Sequence, residues 1–261
     1  MSRFADMSGS SIFIERSSGC GRIIRHVAET TSTNTDARSW VSEDAPHGAV
    51  VVADHQTAGR GRFARTWESA PGQNLLLTVI VRHSLPRPAL LPLAIGWAVR
   101  KSVASFLPGS TVQVKWPNDV RIDRRKIAGI LVESPDRGVF LAGIGLNVNQ
   151  DSFGAFSDGI PTSLLLETGQ RMDRAEVFDR LMTALDEALV RLANGSLLDT
   201  YREHLEGRLE PVRLQDGRSG ILEGVDQSGG LIVQTDIGTI VVHSGDVSLR
   251  PPGGRDAARH S

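Results

Sequence analysis

The stretch Gln56-Thr57-Ala58-Gly59-Arg60-Gly61-Arg62-Phe63-Ala64-Arg65-Thr66-Trp67 constrains this chain more than any other. It follows the β-branched run Ala49 to Ala53 and precedes the apolar run Leu75 to Val81, so it joins two strands as a loop. Gly59 and Gly61 let the backbone fold closely around a ligand, and Arg60, Arg62 and Arg65 supply bidentate donors. Such a loop suits an anion. On its own it is equally a solvated basic loop or a nonspecific nucleic-acid contact. The formal net charge of −1 lacks the surplus of basic residues that coating nucleic acid requires, so the anion binding is local.

With 261 residues, 40% of them hydrophobic, the chain is long enough for one sizeable domain and a smaller one. Cys20 is the single cysteine and makes neither an internal disulfide nor a zinc site by itself. No run approaches the roughly 18 apolar residues of a membrane span, and the N-terminus lacks the apolar core of a secretory signal, so a cytoplasmic protein with no membrane partner is expected. Lys101, Lys115 and Lys126 are the only lysines among 29 basic side chains. In so arginine-biased a chain, a lysine marks a place where a slender ammonium is needed.

Residues 1–20, rich in Ser and Gly, are expected as a flexible arm with a short strand at Ile12-Phe13-Ile14. Arg22 to Val27 reads as a strand, and Thr30-Thr31-Ser32-Thr33-Asn34 opens a helix running to Ser42. Thr33 and Asp36 have capping-box spacing, which gives Ser32 and Thr33 a structural account; the alternative is a polar ligand held at the helix start. Apolar residues at helical spacing mark helices within 87–107, over 174–193 behind an Asp173 cap, and over 197–205. Between them, Thr111 to Trp116, Val120 to Asp123, Lys126 to Ser134 and Val139 to Val148 read as strands, with turns at Pro117-Asn118-Asp119 and Asp123-Arg124-Arg125. Strands joined by tight turns predict an α+β fold with a mixed, mostly antiparallel sheet and helices packed on one face. From Glu210 to Arg250, short β runs separated by Gly-containing turns predict a small barrel. The expected divisions are an arm over 1–20, a main domain over 21–207, the barrel over 208–250 and a disordered tail over 251–261.

Polar stretches thus end strands or open helices at Ser32-Thr33-Asn34, Gln56 to Trp67, Lys115-Trp116-Pro117-Asn118-Asp119 and Gly143-Ile144-Gly145-Leu146-Asn147. Together with Lys126-Ile127-Ala128-Gly129-Ile130-Leu131 they stand in the order and spacing of the biotin protein ligases, which the chain resembles over residues 30–150; the barrel resembles that family's C-terminal domain. The resemblance implies a class II synthetase-like (biotin–lipoate ligase-like) catalytic domain with an SH3-like barrel. It also implies a two-step reaction. Biotin and ATP give biotinyl-5′-adenylate and pyrophosphate, and the biotinyl group then passes to a lysine of a biotin carboxyl carrier domain of an acyl-CoA carboxylase.

By the same resemblance, Ser32, Thr33, Asn34, Gln56, Arg60, Gly61, Arg62 and Lys126 hold biotin. Arg62, Arg65, Trp67, Asn118, Asp119, Lys126 and Asn147 hold ATP or the adenylate, and Lys126, Arg62 and Arg60 carry the catalysis. Mg²⁺ rides on the phosphates, with Asp119 a candidate protein ligand. These assignments make physical sense, because the biotin carboxylate and the α-phosphate repel one another and must meet beside fixed cations. Pro117-Asn118-Asp119 is also an ordinary turn sequence, and Trp67 and Trp116 are on type alone loop or core anchors. The implied partners are biotin and the carrier, with no specific DNA and a monomer or weak homodimer. With 20 residues ahead of the first firm strand, no helix-turn-helix and no repressor function are expected.

One position departs from the family: Ala64 stands where a glycine is usual, and a left-handed backbone there would cost on the order of 1 kcal/mol. Two rival readings follow from the same residues. A lipoate or octanoate ligase shares the fold but needs an apolar pocket where Ser32, Thr33 and Gln56 are polar. A noncatalytic nucleic-acid-binding or biotin-sensing module would use the arginine loop without consuming ATP.

Overall fold

The structure is a computed structural model that describes residues 18–248 except 83–86, 155–158, 215, 244 and 246. The strand expected at 12–14 and the tail from 251 lie outside the described residues. Strand β1 (Ile24–Thr30) leads through helix α1 (Thr33–Val41) to β2 (Val50–Gln56), which pairs with β1 in parallel, as a helical crossover allows. Strand β3 (Leu75–Arg82) runs antiparallel to β2. Helix α2 (Leu91–Ala104) then carries the chain to the far edge, where β4 (Val112–Lys115), β5 (Asp119–Ile122), β6 (Arg125–Asp136) and β7 (Val139–Leu146) return as consecutive antiparallel strands. The resulting order is β1-β2-β3-β7-β6-β5-β4, mixed and mostly antiparallel as expected. Asp123 and Arg124 turn β5 into β6 with φ of 46° and 67°, the left-handed pair of a tight hairpin.

Alternation along the strands feeds two apolar clusters. Val50, Val52, Leu77 and Val79 pack with α2 and with α4 (Arg174–Asn194), whereas Val51, Ile80 and Leu141 pack with Ala37, Trp40 and Val41 of α1. The expectation of helices on one face therefore needs correction: α2 and α4 cover one face, and α1 lies on the other. The reason is the β1-α1-β2 crossover, which cannot share the face already filled by the 14-residue α2 and the 21-residue α4. Helix α4 begins as its sequence indicates, with Asp173 accepting a bond from the Ala175 N–H at 2.8 Å, and ends at Gly195 in a left-handed conformation. A short helix not anticipated, α3 (Leu164–Thr168), precedes it, and α5 (Leu197–Glu203) follows.

The C-terminal strands β8 (Pro211–Leu214), β9 (Ser219–Val225), β10 (Leu231–Thr235), β11 (Gly238–Val242) and β12 (Val247–Ser248) form an antiparallel sheet in the order β11-β10-β9-β8-β12. Among the described residues no hydrogen-bonded ladder joins β11 to β12, so the expected barrel is an open five-stranded sheet. Its inward residues Val212, Leu222, Val225 and Leu231 join the apolar cluster of α2 and α4. The turn between β9 and β10 is held by Asp226, which accepts from the Ser228 and Gly230 N–H groups at 2.8 Å. From that turn the Gly229 carbonyl accepts the indole N–H of Trp116 at 2.9 Å. No helix among the described residues is long and apolar enough to cross a membrane.

At the other end of the main sheet, Asp54 lies 3.0 Å from His26 Nε2 and 2.8 Å from Arg174 Nη1, tying β1 and β2 to the start of α4. Burial alone would raise the Asp54 carboxyl, but the contacts to His26 and Arg174 outweigh it and hold its pKa below the ordinary 3.8. A depressed carboxyl contributes stability that is present above its unfolded pKa and lost as pH falls through its folded one. Urea unfolding followed across a pH series should therefore show stability declining below the ordinary 3.8, and Asp54→Asn should flatten that decline.

Candidate active site

A cavity of about 410 Å³ opens on the sheet face that carries α1. Ser32, Thr33 and Asn34 at the start of α1, Gln56 at the end of β2, the loop from Arg60 to Glu68, Asn118, Lys126 and the facing segments 129–131 and 143–145 of β6 and β7 line it. Its volume is that of a small-molecule site. The floor is backbone. Gly129 pairs with Gly145 and Leu131 with Gly143, and a methyl group added at Gly145 would meet the Trp67 ring at 2.4 Å. At Gly143 it would meet the Asn34 carbonyl oxygen at 2.6 Å. The glycines let the indole and the amide lie directly on the sheet.

The arginine loop is a small antiparallel ladder. Trp67 N–H donates to the Gly59 carbonyl at 2.9 Å and Gly61 N–H to the Arg65 carbonyl at 2.7 Å, with Arg60 opposite Thr66. At its tip Phe63 and Ala64 have φ of 53° and 58°, so Ala64 does occupy the left-handed region that its departure from the family pattern put in question. Below the tip, Arg62 donates to Asn118 Oδ1 at 3.2 Å, and Asn118 in turn donates to the Ile130 carbonyl. Lys126 Nζ sits 2.9 Å from Asp119 Oδ1 and 5.9 Å from the centre of the Trp67 ring. Arg60 donates to Glu133 Oε2 at 3.2 Å.

The capping box expected at the start of α1 does not form. Ser32 is the N-cap and makes no side-chain cap; the Thr33 N–H instead donates to Gln56 Oε1 at 2.8 Å, and Thr33 Oγ1 lies 3.1 Å from the same oxygen. The register of β1 with β2 places Gln56 opposite Thr30, so a long-range carboxamide reaches the helix start before the local Asp36 can. Behind Thr33, Thr78 Oγ1 lies 2.8 Å from Thr33 Oγ1 and 2.6 Å from Asn34 Oδ1, and Asn34 Nδ2 donates to Glu133 Oε2 at 2.9 Å.

The structure brings Ser32, Thr33, Asn34, Gln56, Arg60, Gly61, Arg62, Arg65, Trp67, Asn118 and Lys126 to one cavity wall. Asp119 and Asn147 lie behind it. Asp119 is buried and engaged by Lys126, and Asn147 spends its amide on the Thr162 carbonyl and its N–H on the Ile127 carbonyl. Neither is among the residues that line the cavity. Among the described residues no group of three acidic, His or Cys side chains is placed to hold an ion by itself. Deeper still, burial raises the Glu206 carboxyl above its ordinary range against the opposing charges of Arg121, Lys115 and Arg124. Thr78 and Glu133 were not singled out from the sequence, although each carries a signal: a lone hydroxyl in the apolar run 75–81, and an acid two residues beyond Leu131 on the strand face of Gly129.

Two variants test this geometry. Gly145→Ala should push Trp67 off the sheet and shift its fluorescence to the red, with loss of affinity for anything held in the cavity. Ala64→Gly should stabilise the protein by about 1 kcal/mol in urea unfolding, by removing the left-handed penalty.

Residues 26–151 match the Biotin/lipoate A/B protein ligase family, and residues 210–250 match the family described as Biotin protein ligase C terminal domain. The chain is 38% identical to the biotin–[acetyl-CoA-carboxylase] ligase of Mycobacterium tuberculosis over 233 residues, covering 85% of this chain and 86% of that protein. It is 31% identical to the bifunctional ligase/repressor BirA of Bacillus spizizenii, covering 84% of this chain and 71% of that protein. Among solved structures, the biotin protein ligase of Aquifex aeolicus in complex with biotin and ATP superimposes with a TM-score of 0.74 at 28% identity, over 87% of this chain and 98% of that one.

Proposed function

This chain belongs to the biotin/lipoate A/B protein ligase family, and we propose from that premise how its cavity serves biotin protein ligation. The enzyme is a biotin–[acetyl-CoA-carboxylase] ligase that uses biotin and ATP and delivers biotin to a carrier protein. In the first step a biotin carboxylate oxygen bonds to the α-phosphorus of ATP while the bond to the bridging oxygen breaks and pyrophosphate leaves. In the second, the carrier lysine's amine attacks the acyl carbon, AMP departs, and the nitrogen's proton is lost to give the amide.

The observation that carries this reading is the gathering of Arg60, Arg62 and Lys126 around one cavity over the glycine strip of β6 and β7. Two anions brought together there are stabilised by cations already held in place, which cost no reorganisation at the moment of reaction. Lys126 is the best placed of the three. Asp119 and Trp67 fix its ammonium at the cavity wall, where it can act as a point charge on the carboxylate and the phosphate. Ser32, Thr33 and Gln56 form the polar end that takes the ureido ring. Arg62 with Asn118, and Arg65 at the loop tip, close over the adenylate. Magnesium brought with ATP would be held through the phosphates and would offset their charge, with Asp119 the candidate protein carboxylate. We take 21–207 as the catalytic unit and 208–250 as a second unit that steadies the Trp116 turn.

Biotin-dependent release of pyrophosphate from ATP, followed by transfer to a purified carrier domain, tests the assignment. Lys126→Ala should lower the rate of release by a factor of about 100 or more while the protein stays folded. A folded sample that releases pyrophosphate with lipoate but not with biotin would reject the biotin reading.

A further inference from the structure

Strand β6 carries a bulge beside Lys126. Val120 stands opposite Ala128 and Arg121 opposite Lys126, so Ile127 is an extra residue against β5. Ile127 and Ala128 are consecutive yet both fully buried, which a regular alternation would not give. An extra residue of this kind bends its strand and re-aims the side chains next to it. The Lys126 stem runs along the glycine strip, its Cε 3.5 Å from where a Cβ on Gly129 would stand. Where the ammonium ends therefore depends on how the backbone at Lys126 is held.

The ladder between β7 and β6 begins only at Ala128. Ahead of it, the segment 160–162 takes the place of a strand. The Lys126 N–H donates to the Ile160 carbonyl and the Thr162 N–H donates to the Lys126 carbonyl, each at 2.8 Å, in a parallel bridge. This segment is anchored by Glu167 on α3, whose side chain is 8% exposed. Thr162 Oγ1 donates to Glu167 Oε1, and Arg125 Nη2 donates to Oε2 at 2.9 Å. One carboxylate thus grips both the segment and the residue that precedes Lys126 in β6, through charge-assisted bonds. Asn147 adds a bond from Nδ2 to the Thr162 carbonyl at 2.9 Å.

We propose that Glu167 is a positioning residue for Lys126: by joining Thr162 to Arg125 it closes the segment 160–162 on the bulge and fixes where the ammonium stands. Glu167 is not among the residues that line the cavity, so it acts on the reaction through the lysine's backbone. The scheme rests on the role given to Lys126 above. Burial makes the clasp effective, because Thr162 at 1% exposure has no water to turn to once the carboxylate is gone. A small backbone shift is enough, since misplacing a reacting group by about 1 Å costs on the order of a hundredfold in rate.

Two measurements on the full-length protein test the clasp. The first is amide hydrogen exchange without ligands. In Glu167→Ala the Lys126 and Thr162 N–H groups should lose protection by about tenfold or more, while those of β7 keep theirs. Unchanged protection at Lys126 would overturn the proposal whatever the substrate is. Thr162→Val removes one of the two links at nearly constant volume, should open the same two N–H groups, and takes the place of the alanine variant if that one does not fold.

The second is the rate of biotin-dependent pyrophosphate release at saturating biotin and ATP. Glu167→Ala should slow the parent about tenfold or more, but should slow Lys126→Ala by less than about twofold, because no ammonium is left to misplace. Equal fractional losses in the two backgrounds would overturn the proposal, since Glu167 would then serve the fold in general. Glu167→Gln keeps both links, its Oε1 accepting from Arg125 and its Nε2 donating to Thr162 Oγ1, and should run within about threefold of the parent. A glutamine variant as slow as the alanine one would also count against the clasp. If exchange responds as expected but the parent releases no pyrophosphate with biotin, the biotin reading fails and the clasp stands.

Discussion

Everything in the site depends on how closely side chains can approach the sheet between β6 and β7. Gly129, Gly143 and Gly145 leave a strip of bare backbone, and the Trp67 ring and the Asn34 amide settle on it at distances that no Cβ would allow. Trp67 in turn fixes the base of the arginine loop and flanks Lys126, and Asn34 connects Glu133 to Thr78. A single methyl group on that strip would therefore disturb both the cationic and the polar end of the cavity.

The loop itself combines order with strain. Its base is a regular ladder from Gly59 to Trp67, whereas its tip places two consecutive non-glycine residues in the left-handed region. Each such residue costs on the order of 1 kcal/mol, a sum comparable with the few hydrogen bonds that close the ladder. Phe63 is 61% exposed at that tip, so no burial of its ring offsets the strain. The tip is the part of the site whose energy a ligand's anionic groups can most readily change.

The main architecture was legible because its signals are local. Alternation gave the strands β4 to β7 and Asp173 gave the start of α4, and the left-handed backbone at Ala64 answers the question raised by the glycine usual there in the family. What failed were inferences that needed a partner from elsewhere in the chain. Thr33 and Asp36 have the spacing of a cap, yet Gln56 is 23 residues away and reaches Thr33 first because β1 pairs with β2. Thr78 and Glu133 sit in ordinary strand positions, and their roles arise only when β3, β6 and α1 converge. Asn147 and Asp119 come from the same motifs as residues of the cavity wall, and the structure places them one layer behind it. The face chosen by α1 and the open pairing of the second sheet are likewise matters of topology rather than of pattern.

The bond from Trp116 to the Gly229 carbonyl reaches further than a packing contact. Trp116 precedes Asn118 and Asp119 by two and three residues, and these hold Arg62 and Lys126. The second sheet also completes the apolar cluster under α2 and α4. The two units therefore do not behave as interchangeable modules. Recombination that exchanged the C-terminal segment between relatives would have to carry a compatible turn at 226–230 with it, and drift on one side of that seam constrains drift on the other.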